Sequence, residues 1–405
     1  MKHRAFRSRL HILPAYLALA LAVSPALAED APRPAVVPPP ASKTAVADAA
    51  LAKAGRDAVQ RGLAWLAARQ KPDGSWSDTN FPALTAFPLW AFSLGEHPGK
   101  ASIVSNAVSL VMGAVQPDGG IYRKLPRAGG GLANYNTAIC MTALHVTGDP
   151  ALAPVVRKAR QFVAASQLLE GDDVYRGGFG YDKETGRMYT DLSDSVMAFE
   201  AMRLTQGAED TRPSGEKRVD INWQAATQFL GRVQNKEGAG PDNAGGFVYR
   251  PDESKAGATT NAAGAVVLRA YGSMTYAGLL SLIFAEVSKD DPRPQAAFRW
   301  ATEHWSLDEN PGLGPEGLYY FYNVMSKSLT LFGRDELPVR GRAEPVRWRD
   351  EVVRKLVALQ QPDKDDASRG FWANKNNRWM ESDPILVTSY TVIALETILG
   401  PASRP

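Results

Sequence analysis

The stretch Arg61-Gly62-Leu63-Ala64-Trp65-Leu66-Ala67-Ala68-Arg69-Gln70, followed by Lys71-Pro72-Asp73-Gly74-Ser75-Trp76, returns in altered form along the chain. A repeated unit constrains a fold more than any single motif, because each copy can bury its apolar face only against its neighbours. The pattern is a large apolar residue, an aliphatic one, three positions, then Gln, a turn, and a Gly-x-aromatic unit. It recurs as Val111-Met112 with Gln116 and Gly119-Gly120-Ile121, and as Phe162-Val163 with Gln167 and Gly177-Gly178-Phe179. Two further copies are Phe229-Leu230 with Gln234 and Gly245-Gly246-Phe247, and Leu356-Val357 with Gln361 and Gly370-Phe371-Trp372. A degenerate copy has Trp300-Ala301, Trp305 in the Gln position, and Gly317-Leu318-Tyr319.

Each copy is followed by a second apolar run, beginning near Thr85, Thr137, Asp194, Thr275, Tyr322 and Thr388. Small polar residues at the start and glycines at the end (Gly95, Gly148, Gly333, Gly400) are helix-boundary chemistry. The unit is therefore helix, Gly-rich loop, helix, and no sustained period-two alternation argues for a sheet. The second helices are apolar nearly all round, which places them inside other helices, whereas the first helices carry more charge and suit an outer layer. Six such hairpins predict an all-α, (α/α)6 toroid over residues 56–400, because a closed ring needs no capping repeats.

Ahead of the repeats, residues 1–28 read as a cleavable signal peptide: Lys2, Arg4, Arg7 and Arg9, a short apolar run, then Ala26-Leu27-Ala28. Export to the periplasm or outside the cell is expected. Residues 29–55, rich in Pro and Ala, read as an extended linker. The formal net charge of +3 rests on those four leader cations. The remaining chain has no basic excess for nucleic acid, and no segment is apolar enough to be a transmembrane helix. Cys140 is the single cysteine, in an apolar helical stretch, and is expected to be a buried, inert thiol.

The run from Arg61 to Trp76 resembles the QW repeat of squalene and oxidosqualene cyclases. The chain from about residue 56 to 399 is similar to the terpenoid cyclase and protein prenyltransferase superfamily, including exported bacterial prenyltransferase/squalene oxidase repeat proteins. On their own chemistry the Gln and Trp positions are stabilising, Gln by bonding orphan carbonyls at a helix end and Trp by packing over the turn. The resemblance implies a catalytic Asp-x-Asp-Asp-Thr motif at an inner-helix start, and this chain has Asp191-Leu192-Ser193-Asp194-Ser195. Serine replaces the middle aspartate, the proton donor of the family, and a hydroxyl is too weak an acid to protonate an isolated alkene. Asp191 and Asp194 are thus candidates either for a catalytic pair or for helix-capping residues.

Two departures separate the chain from relatives of known chemistry. Squalene cyclases resemble two toroids with the reaction cavity between them, and this chain has length for one. Prenyltransferase β chains resemble one toroid but hold zinc through an Asp-x-Cys pair and a distant His. Here no Asp-x-Cys occurs, and His97, His145 and His304 lack ligand spacing, so no metal and no cofactor are expected. The Gly-Cys-Gly-Glu-Gln run of thioester toroids is missing too.

The segments leading into the inner helices surround one mouth of such a ring. They supply Tyr181, Tyr189, Tyr276, Tyr320, Tyr322, Trp379, Glu381, Asp383 and Tyr390 as candidate ligand-binding residues, alongside Tyr271, Ser273 and Thr275. Aromatics mixed with a few carboxylates suit an apolar ligand with a polar end, or a sugar; they can equally fill the ring's centre. The primary expectation is an exported binder of an elongated, isoprenoid-type ligand. The alternatives are an enzyme, terpenoid cyclase-like or a glycosidase using Asp194 with Glu381 and Asp383, and a scaffold for a protein partner.

Overall fold

The inner helices have little polar surface to offer water, and the fold answers by closing them on one another. The structure, a computed structural model, describes residues 46–126, 131–171, 173–182 and 189–400. The expected leader and the linker as far as residue 45 lie outside the described residues. Outer helices α1 (Ala49–Ala67), α3 (Lys100–Met112), α5 (Ala153–Ala164), α7 (Trp223–Val233), α9 (Pro292–Glu303) and α11 (Trp348–Leu359) alternate with inner ones. The inner helices are α2 (Ala83–Leu94), α4 (Ala133–Val146), α6 (Leu192–Leu204), α8 (Gly272–Phe284), α10 (Leu318–Phe332) and α12 (Pro384–Leu399). Each inner helix packs on the next, and α12 packs back on α2, so the ring is closed. This is the expected (α/α)6 toroid. Strands among the described residues are confined to three short antiparallel ribbons in loops: Ala258–Thr260 with Val266–Leu268, Glu336–Leu337 with Val346–Arg347, and Gln361–Pro362 with Gly370–Phe371. No described helix is long and apolar enough to cross a membrane.

The first helix begins earlier than expected. Asp48 accepts hydrogen bonds from the amides of Ala50 and Leu51, and α1 starts at Ala49, inside the stretch read as linker. Alanine is the strongest helix former, and Val46, Ala52 and Ala58 reach the core. The absence of aromatic residues there concealed a helical turn that small side chains bury well.

The repeated glutamines prove to be stitches between successive outer helices rather than caps of their own. The Gln70 amide donates to Gly74 O and to Ile103 O of α3. Gln167 donates to Gly177 O and Asn222 O, and accepts from the Asn222 amide at the start of α7. Gln234 reaches Arg293 O of α9, and Trp305, in the Gln position of the degenerate copy, donates its indole N–H to Glu351 of α11. The last stitch runs from Gln360, not Gln361, to Ala58 O of α1, closing the outer ring. Of two adjacent glutamines, Gln360 lies four residues after Leu356, as Gln70 does after Leu66; both leucine carbonyls accept an indole N–H, from Trp372 and Trp76. Gln116 is the exception and bonds carbonyls of its own turn. Gly317-Leu318-Tyr319 departs as well: it opens α10 itself instead of forming a loop.

The glycines of the repeat have a matching reason. Gly177 has φ +99°, and a Cβ there would lie 2.0 Å from the Ala225 carbonyl oxygen of the next outer helix. Gly74, Gly119 and Gly245 press on carbonyls of Asn106, Lys158 and Ala296 in the same way. The residue two places on turns inward, and its amide donates to a hydroxyl in the first turns of the inner helix: Ile121 to Thr137, Phe179 to Ser195, Phe247 to Thr275, Trp372 to Thr388. These bonds span 2.8–3.1 Å and fix the loop to the helix it precedes. Cys140 is buried, and burial pushes its thiol pKa up, as suits an inert core thiol.

Two predictions follow from this stitching. Gln70→Ala and Trp76→Ala should each lower unfolding stability by about 1–4 kcal/mol, since they remove buried donors and, for Trp76, packing. Ser195→Thr should be nearly neutral in a denaturant melt, because three other repeats use Thr at that position, whereas Ser195→Ala should cost about 1–3 kcal/mol by orphaning the Phe179 amide. Equal stability of the Ala and Thr variants would remove the structural role assigned to this hydroxyl.

Candidate functional site

The same register that anchors the loops decides which side chains face the ring's axis. Two residues before each anchoring hydroxyl stand Tyr135, Ser193, Ser273 and Leu386, and all four line one cavity of about 430 Å³. That volume is within the roughly 300–1,000 Å³ typical of small-molecule sites. Phe81, Leu84 and Phe87 from the entry and first turns of α2, with Met274 of α8, add apolar wall. Tyr181, Tyr249, Tyr271, Tyr320 and Tyr390 turn phenol rings to the cavity, and Trp379 and Met380 stand at its mouth, each nearly half exposed.

Of the expected ligand-binding residues, Tyr181, Tyr320, Trp379, Glu381 and Tyr390 are therefore brought together. Tyr276, Tyr322, Tyr189 and Asp383 are not part of the lining. Tyr276 packs edge-on against Phe321 in the core, and the Tyr322 hydroxyl donates to Leu307 O at 2.6 Å. Tyr189 lies under the Arg250 guanidinium, 4.7 Å from ring centroid to carbon. Asp383 caps α12 through the Ile385 amide and accepts from Ser77 Oγ. For Tyr276 and Tyr322 the reason is that adjacent positions on a helix point about 100° apart; Tyr189, in a loop, and Asp383, the cap of α12, are turned aside by their own partners.

Glu381 is spoken for as well. Its carboxylate accepts from the amides of Tyr320 (2.7 Å) and Tyr319 (3.3 Å) and from Asn374 Nδ2 (2.7 Å), capping the N-terminus of α10. Burial raises its pKa, and those donors act against the rise. With Asp383 also engaged as a cap, the Asp194–Glu381–Asp383 arrangement for glycoside hydrolysis has no free acid–base couple among its two loop carboxylates.

The Asp191–Asp194 pair sits in the wall, behind the cavity surface. Asp191 is the N-cap of α6: its Oδ1 accepts from the Asp194 amide at 2.9 Å, and its Oδ2 accepts from the Tyr249 hydroxyl at 3.0 Å. Asp194 is 2% exposed; no N–H or hydroxyl donor reaches either of its oxygens, and its side-chain contact is with the Asp191 carboxylate. Burial first, and then the charge of Asp191, raise the Asp194 pKa well above the ordinary value. Burial raises Asp191 too, against its donors. The carboxylate with two donors keeps the negative charge, and the one with none holds the proton. The negative charge of the Asp194–Asp191 pair, together with burial, also raises the Tyr181 pKa and keeps its phenol protonated. The cavity-facing position of this motif is Ser193, the residue that replaces the acid.

Sequence reasoning missed Tyr135, Tyr249, Lys255 and the α2 wall. Lys255 reaches the mouth from the loop before the Ala258–Leu268 ribbon, pairs with Glu253, and lies 4.1 Å from the Tyr249 ring centre. The spacing of Tyr135 two residues before Thr137, parallel to Ser193 before Ser195, was a usable signal. Tyr249 and Lys255 sit in an irregular loop and had none. Among the described residues, no group of three His, Cys, Asp or Glu side chains is placed to hold a metal ion.

No family model and no curated protein matches the chain. Solved structures do. The apo type II terpene cyclase MstE from Scytonema is 12% identical with a TM-score of 0.52, over 85% of this chain and 97% of that one. MstE with its product merosterolic acid A gives 12% and 0.51, over 86% and 98%. The GH76 α-mannanase of Bacteroides thetaiotaomicron gives 12% and 0.51, over 84% and 95%. One expectation falls here: a terpene cyclase is spanned almost end to end by this single toroid, so one-toroid length does not set the chain apart from cyclases. At these identities the likeness is one of fold, the α/α toroid that this chain shares with them.

Proposed function

We propose that the protein is an exported toroid whose cavity binds an elongated apolar ligand of isoprenoid type. The observation that carries this reading is the cavity wall itself. Its polar groups are chiefly phenols and serine hydroxyls, and its acids are withdrawn into caps or kept neutral behind the surface. Backbone strain is concentrated at the same place. Four non-glycine residues among those described have positive φ, and three of them, Leu132, Trp379 and Met380, line this cavity. Such conformations cost on the order of 1–3 kcal/mol each and gather at ligand sites. The toroid MstE has been captured with geranylgeranyl dihydroxybenzoate, which gives a ligand class to try first. Export rests on the basic, apolar and Ala-Leu-Ala segments of the leader.

Native mass spectrometry of the purified protein with geranylgeraniol tests the reading: a one-to-one complex is expected. Leu386→Arg, which puts a charge into the apolar wall, should abolish it with the fold intact by circular dichroism. Unchanged binding by that variant would move the ligand out of this cavity.

Asp194 favours a second reading, in which the protein is an enzyme and a neutral carboxylic acid in the wall serves acid chemistry through the phenol of Tyr181. Turnover of a geranylgeranyl substrate, lost in Asp194→Asn, would establish it; the binding reading expects no turnover and an unchanged affinity in that variant. Stability provides a separate check on the proton. A carboxyl whose pKa is raised by folding stabilises the fold fully below its ordinary value of 3.8 and loses that contribution as pH rises through the raised one. Asp194→Asn should therefore gain on the wild type in unfolding free energy as pH rises above the ordinary carboxylate value towards the raised one. A gap that moves the other way would mean that Asp194 is ionised and favourably held.

A further inference from the structure

Below the cavity, three side chains from three different helices meet. Lys327 of α10 places its Nζ 2.9 Å and 3.0 Å from the two carboxylate oxygens of Glu200 of α6. The same ammonium lies 4.2 Å from the ring centre of Trp90 of α2. Lys327, Glu200 and Trp90 are 8%, 5% and 5% exposed. In the ring order α2–α4–α6–α8–α10–α12, the helices α2, α6 and α10 are never neighbours. A contact joining all three must therefore cross the ring's centre. Depth follows from the helix rise of 1.5 Å per residue. Glu200 and Lys327 lie seven residues past Ser193 and Tyr320, roughly 10 Å further along their helices. Trp90 lies three residues past Phe87, about one turn deeper. None of the three lines the cavity, while Ser193, Tyr320 and Phe87 all do.

From this placement we infer that the Glu200–Lys327 pair, seated on Trp90, plugs the ring's axis beneath the cavity and so sets the length of apolar chain that can be admitted. This rests on the proposed binding of an isoprenoid-type ligand. Six helices around an axis leave a central hole that small side chains do not fill, and a bound chain would run on into it. Two long side chains reaching from helices a third of the ring apart, joined tip to tip and covered by an indole from the remaining third, stop it. The charges cancel each other, and the ammonium–indole contact supplies further compensation for burial. Replacing both ionic residues together avoids the uncompensated charge that either single change would leave.

The test uses a series of prenyl alcohols (geraniol, farnesol, geranylgeraniol, solanesol) bound to wild type and to Glu200→Ala/Lys327→Ala. The double variant should shift preference to a longer member, changing the affinity ratio of the longer to the shorter by on the order of tenfold or more, as one or more extra methylenes gain a pocket. Glu200→Leu/Lys327→Leu, which restores bulk without charge, should keep the wild-type preference. An unshifted preference in the folded alanine variant overturns the inference, and so does a shift in the leucine variant as large as in the alanine one. Trp90→Leu opens the same floor and gives the same comparison if the alanine pair fails to fold. A crystal structure of whichever opened variant folds decides the matter without any ligand: the cavity should extend along the axis, and a floor still closed by other side chains overturns the inference. Failure of all proteins to bind any alcohol, beside an extended cavity in that crystal structure, would reject the isoprenoid reading and leave the floor in place.

Discussion

Six helices with no wettable side can be buried from all directions only by surrounding them with one another and with a second layer. That constraint organises this molecule. It forces the inner helices into a ring, it gives the outer helices one face for water and one for packing, and it puts every loop at a rim. The stitches then make the ring specific. A glutamine at the end of most outer helices bonds the backbone of the next outer helix, a tryptophan in one repeat bonds a carboxylate there, and a glycine lets the two backbones approach. Burial supplies the bulk of the stabilisation, and these directional bonds select the neighbour.

Much of this was legible in the sequence because it is periodic. Repeats, all-apolar helices and glycine-bearing turns each have a period or a chemical reason that survives without coordinates. The early start of α1 was not legible, since Ala-rich sequence between prolines and a helix reads equally well as linker. The stitch in the sixth repeat was misread by one position, because Gln360 and Gln361 are adjacent and only the fold distinguishes them. Tyr181, Tyr320, Trp379, Glu381 and Tyr390 line the cavity, as their position ahead of or on the inner helices suggested. Direction was the part that sequence withheld, and it removed Tyr189, Tyr276, Tyr322 and Asp383.

The motif at 191–195 shows how one helix start serves several ends. Asp191 caps the helix, Ser195 ties down the preceding loop as its counterparts do in other repeats, and Asp194 turns into the wall. Only Ser193 looks into the cavity. Most of the motif is thus retained by demands that the fold makes on any such toroid, whatever its chemistry. A likeness in these three supporting positions is weak evidence for catalysis, and the middle one, Ser193, carries the functional information.

The closing contacts between the last repeat and the first have a consequence for how the chain comes into being. Gln360 bonds Ala58, Asp363 pairs with Arg69, and Phe371 stacks on Trp65. A partly synthesised chain has none of these, so it presents two raw apolar flanks for as long as the sixth hairpin is missing. Completion of the polypeptide is therefore sensed by the fold itself. Truncation at the carboxyl end does not shorten the molecule by one unit; it leaves a ring unable to close, which is a substrate for proteases and chaperones.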